Sequence, residues 1–156
     1  MRLLRRTETA LVFQLGKKEA PLLLEVLSRY PVLSTGYQPL SKHAPREEAK
    51  QRADQQMLEE ALAVQKAENR LRLAKFLGLP ERFKPNAAGC KFTLELSEVE
   101  WFLQILNDLR VGSWYAAGAP EDLDANKLEI SEKTLPHLWA MDVSGFFQAN
   151  ILEALE

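Results

Sequence analysis

The chain has 156 residues, 46% of them hydrophobic and 27% charged, with a formal net charge of −2. That length and apolar fraction suit one soluble domain over residues 1–156, large enough to bury a core. A single cysteine, Cys90, excludes an intrachain disulfide, and with only two histidines, His43 and His137, a structural zinc site is not expected.

The small net charge conceals an asymmetry. Residues 1–94 carry 17 Lys/Arg against 10 Asp/Glu, whereas residues 95–156 carry 3 against 12. We read the split as internal, with a basic N-terminal hairpin and long helix folded over an acidic C-terminal pair of helices. The alternative is that the two segments meet between neighbouring copies. Without an overall basic excess, nucleic acid is not an expected partner. No apolar run approaches the ~18 residues of a membrane span. Arg5, Arg6 and Glu8 break up any signal-peptide core, so the expected compartment is the cytoplasm.

In chain order, residues 2–15 read as a hairpin, with TALVFQL (Thr9–Leu15) rich in β-formers and a turn near Glu8. Lys18–Ser28 follows as an apolar helix that Pro31 closes. Residues 32–45 are loop, dense in Ser, Gly and Pro. From Arg46 to Gly78 the composition is strongly helical. Within it Met57, Ala61, Val64, Ala67, Leu71 and Ala74 recur at steps of three and four, making one narrow apolar stripe. The stretch 46–56 has only Ala49 and Ala53 to bury, so that end is expected to be solvated, frayed or docked on something outside the chain. Residues 79–91 read as a second loop punctuated by Pro80 and Pro85.

Phe92–Leu96 alternates like a short strand. Ser97 then opens a helix with Ser97-Glu98-Val99-Glu100 as a capping box. Trp101, Phe102, Leu103, Ile105, Leu106, Leu109 and Trp114 surround most of its circumference, which predicts the most buried helix. Lys127–Glu132 echoes Thr93–Glu98, predicting a second short strand over 127–130. A last helix runs over 138–155 with Trp139, Val143, Phe146, Phe147, Ile151 and Leu155 inward, and Gly145 costs it about 1 kcal/mol relative to Ala unless it permits a close contact. The fold expected is mainly α (α+β): a bundle of about four helices with an N-terminal β-hairpin and a small edge sheet.

The run FTLELSEVEWFLQILNDLRVGSW, with its Asn107-Asp108-Leu109-Arg110 motif, resembles the signature stretch of an uncharacterised bacterial domain-of-unknown-function family best represented in actinobacteria. MRLLRRTET, Phe13 and the helix at Glu19-Ala20 are similar to that family's start, and Ala140–Leu155 to its end. The resemblance implies no activity. Because family members are often encoded beside the Clp protease adaptor, it implies a link to protein quality control.

Asn107, Asp108, Arg110, Gln104 and Trp114 are the candidate binding residues, since an Asp, an Asn and an Arg on a mostly apolar helix can recognise a partner's backbone or carboxylate. The plainer reading is that Asp108 and Arg110 pair with groups of neighbouring helices or cap loops. His43 and His137 lack partners at relay spacing, and a reactive Cys90 is weighed below an inert one. No phosphate loop or metalloprotease motif occurs, and Glu121–Asp124 lacks calcium-loop spacing. No catalytic residue, metal or cofactor is therefore assigned. The function expected is a cytoplasmic protein-interaction or regulatory module with a protein partner. The alternatives are a self-associating structural protein, and a small ligand-binding domain or enzyme around Asp108, Arg110 or Cys90.

Overall fold

Strands β1 (Arg2–Arg6) and β2 (Ala10–Gly16) form the expected hairpin. Thr7 closes its turn: the backbone N–H donates to Ala10 O at 2.9 Å, and the hydroxyl accepts the Ala10 N–H at 3.0 Å. The structure is a computed structural model that describes residues 1–33, 48–121 and 130–156. Helix α1 (Glu19–Ser28) buries Leu23, Val26 and Leu27, and α2 spans Glu48–Leu77.

Residues 79–91 were expected as loop, and most of them are not. They contain β3 (Phe83–Asn86) and the start of β4 (Gly89–Glu95), a second hairpin that completes an antiparallel sheet of order β1-β2-β4-β3. Pro85 reads as a breaker, but β3 is an edge strand, where the missing N–H costs no ladder bond. Gly89, at φ 138°, makes the turn possible; a Cβ there would lie 2.3 Å from the Leu15 carbonyl oxygen.

The register sets Leu11 opposite Leu94, Phe13 opposite Phe92 and Leu15 opposite Cys90, so all six fall on one face and are buried. Helix α3 (Leu96–Ala116) lays Phe102, Ile105, Leu106 and Leu109 into that core, and α4 (Leu135–Glu153) adds Phe147 and Ile151. Phe76, from the last turn of α2, stacks on Phe102 at 5.1 Å and meets Trp101 edge-on at 5.4 Å. The result is the α+β mixture expected, with four helices and a small four-stranded sheet among the described residues.

Several expectations are corrected. Helix α3 starts one residue earlier than expected, and its cap is Glu95 rather than Ser97; the Glu95 N–H donates to Glu98 Oε2 at 3.3 Å. Phe146 is exposed, because Phe147 and Ile151 take the inward direction of α4. The stripe on α2 does not enter the core. Met57, Val64 and Leu71 are 70%, 58% and 67% exposed, and the helix instead buries Leu73 and Phe76 from its other side. Of the helix start expected at 46–56, residues 46 and 47 lie outside the described residues and 48–56 are helical. Of the strand expected over 127–130, residues 127–129 lie outside the described residues, and Ile130 is not in a strand. Among the described residues no helix is long and apolar enough to cross a membrane.

Candidate functional site

Successive residues of an α-helix turn by about 100°. Asp108 and Arg110 therefore point away from one another, toward opposite flanks of α3, and the five candidate residues do not form one site.

Asp108 faces the end of α1 and the body-facing side of α2. A chain of side-chain hydrogen bonds leads to it. Trp101 Nε1 donates to Asn69 Oδ1 at 3.0 Å, Asn69 Nδ2 to Tyr30 Oη at 3.3 Å, and Tyr30 Oη to Asp108 Oδ2 at 3.4 Å. Lys66, which donates to the Leu33 carbonyl oxygen at 2.8 Å, adds its positive charge nearby. Burial pushes the Asp108 carboxyl above its ordinary value, against the opposing pull of the Lys66 charge and the Tyr30 hydrogen bond. The space that Tyr30, Pro31, Val32, Leu33, Lys66, Asp108 and Gly112 enclose is about 10 Å³. That is at the limit for one water molecule and too small for a ligand. The arrangement joins three helices by satisfying polar groups at their meeting point, as the plainer reading expected.

Arg110, Trp114 and Val111 lie on the flank that faces α4. With Met141, Asp142 and Gly145 they line an open groove of about 490 Å³. Arg110 Nη2 donates to Asn107 Oδ1 at 3.3 Å, and Trp114 Nε1 to the Pro120 carbonyl oxygen at 3.1 Å. The volume is that of small-molecule pockets, but these hold ligands with buried polar groups aimed inward. Here Arg110 and Asp142 are exposed, and Gln104 is exposed on another side of the helix.

Cys90 is buried on β4 and its thiol is pushed upward by burial, which makes it a weak nucleophile. His137 is half-buried in the first turn of α4; His43 lies outside the described residues.

Sequence reasoning missed one buried charge pair. Arg82, 4% exposed, donates from Nη1 to Glu98 Oε2 at 2.6 Å and from Nη2 to Glu98 Oε1 at 2.8 Å. Its Nη1 also donates to the Thr93 carbonyl oxygen at 2.8 Å, and the guanidinium lies 4.0 Å from the Phe76 ring centroid. The planar fork matches the carboxylate, so the pair clamps the end of α2 to the start of α3. Neither residue sits at a spacing that signals the other, 16 positions away.

The remaining feature is the outer face of α2. Ala53, Met57, Ala61, Val64, Ala67, Leu71 and Ala74 are all exposed and follow one another at steps of three and four. Half-buried Leu62 and Lys66 and buried Leu73 point the other way, toward the body of the protein. An a/d-type stripe this narrow is the pattern of a helix–helix seam rather than of a helix laid on a broad core. No family model, curated protein or solved structure matches the chain.

Proposed function

We propose that the protein is an interaction module that acts through the outer face of α2. The observation that carries this reading is the exposure of Met57, Val64 and Leu71, seven residues apart, on a single helix face. Apolar side chains scattered over a surface need no explanation, but a contiguous line of them marks a contact surface. Among the described residues, α2 reaches the core through Leu73, Phe76 and Leu77, all in its C-terminal part. A helix presented this way is ready to pair with another helix. The likeness of residues 92–114 to the bacterial family named above supports protein quality control in the cytoplasm as the setting.

The test is a photoreactive benzophenone side chain introduced in the full chain at Met57, Val64 or Leu71, with Lys91 on the sheet as the control position. Irradiation in living cells is expected to give protein adducts from the three α2 positions and not from position 91. Absence of adducts at all three would end this reading.

A further inference from the structure

We infer that the occupant of the α2 face is a second copy of this chain, paired antiparallel through α2 about a two-fold axis. The inference rests on the interaction reading above and names the partner.

The charges beside the stripe carry the inference. Toward the N-terminal end of the stripe the exposed charges beside it are Asp54 and Glu60, both acidic, with Lys50 a turn earlier; Glu59 is half-buried on the side of Lys66. Toward the C-terminal end they are Arg70 and Lys75, both basic and exposed, with Glu68 between Val64 and Leu71; Arg72 is turned onto the Trp101 ring of α3 at 4.2 Å. Two parallel copies would set acid beside acid and base beside base. Antiparallel copies bring each acidic stretch against the basic stretch of the other, twice, by symmetry. The apolar residues fit the same register. With Val64 against Ala67 of the second copy, Met57 meets Ala74 and Leu71 falls between Glu60 and Ala61, so each large side chain has a small one opposite or beside it. In that register Asp54 lies beside Lys75 of the second copy, and both are exposed in the single chain.

The geometry leaves room for the bodies of the two molecules. The stripe lies opposite Leu62, Lys66 and Leu73, so each body sits on the outside of the paired helices. From Ala53 to Ala74 the seam is about 33 Å long at 1.5 Å per residue, three heptads.

The experiment uses the full chain. Sedimentation equilibrium between about 1 and 200 µM, a span that resolves micromolar dissociation constants, is expected to show a dimer that Val64→Glu abolishes. Asp54→Lys is expected to weaken it about tenfold at low salt, by turning two attractive pairs repulsive. Adding Lys75→Asp to that variant restores the dimer, because the pair is then re-formed with its signs exchanged. A spin label at Gln56→Cys reports direction: about 30 Å between labels if antiparallel and about 10 Å if parallel. A monomer throughout, failure of the charge exchange to rescue, or the short distance would each overturn the inference. If the chain is monomeric while Val64 still forms adducts with a different polypeptide in cells, self-pairing fails and the interaction reading stands. If no adducts form either, both fail.

Discussion

At the scale of single residues, Asp108 carries a pH dependence of known sign. Burial raises its carboxyl in the folded protein above the unfolded value, so the native state holds that proton more tightly. The group stabilises most below the unfolded carboxylate range, and stability falls as pH rises through the folded value. Asp108→Asn keeps an acceptor for the Tyr30 hydroxyl and removes the buried charge. It is expected to be more stable than the parent chain at pH 7, with the difference gone by about pH 3, measured by urea denaturation across that range. Gly145 gives a second expectation. A Cβ there would meet only Arg110 Cδ, at 3.8 Å, an ordinary contact. The close approach that would have justified a glycine in mid-helix is absent, so Gly145→Ala should stabilise by about 1 kcal/mol and raise Tm by about 2–4 °C. Unchanged or lower Tm would show that the site cannot accept even a methyl group.

At the scale of elements, the Arg82–Glu98 pair does what no helix propensity could. It ties the segment after α2, the β4 carbonyl of Thr93 and the first turn of α3 into one joint. Glu98→Gln would leave a buried guanidinium without its counter-charge, and is expected to cost about 3–5 kcal/mol in equilibrium unfolding. Replacing both, Arg82→Met with Glu98→Leu, is expected to cost less than the single change, because no charge is then stranded. Elements with a strong local signal were legible in advance: the hairpin at 2–15, α1, the helical run of α2, and α3 with its apolar circumference. The second hairpin was not. Its outer strand β3 is exposed along Lys84, Pro85 and Asn86, so it offers no alternation to read, and only pairing with β4 makes it a strand. The cap of α3 was misplaced by two residues: Ser97 is the better cap by residue type, yet β4 runs to Glu95 and the helix begins directly after it.

At the scale of the whole molecule, the charge asymmetry resolves into two parts. One part is internal, as read from the sequence. Arg82 of the basic segment pairs with Glu98 of the acidic one, Arg6 donates to the Leu155 carbonyl oxygen at the end of α4 at 2.8 Å, and Lys66 acts on Asp108. The other part stays on α2, where exposed Asp54 and Glu60 lie toward one end and exposed Arg70 and Lys75 toward the other. Local complementarity explains the first part; the antiparallel pairing inferred above would satisfy the second.

By itself the sequence determined the composition of the elements: where β-formers alternate, where a helix has no breaker, and which α2 residues share one face. Such features depend on near neighbours along the chain, and periodicity records them directly. The tertiary structure alone decided which way those faces point. The α2 stripe has the spacing of a buried face, yet Leu73 and Phe76 anchor the helix from its opposite side and turn the stripe to solvent. Asn107, Asp108 and Arg110 are adjacent in sequence, yet the rotation of the helix sends Asp108 into a closed polar joint and Arg110 to an open groove. The stripe, rather than the motif, is therefore where this protein meets its partner in the reading proposed here. A spacing fixes which residues lie together on a helix; only the packing of that helix against the rest of the chain fixes what they face.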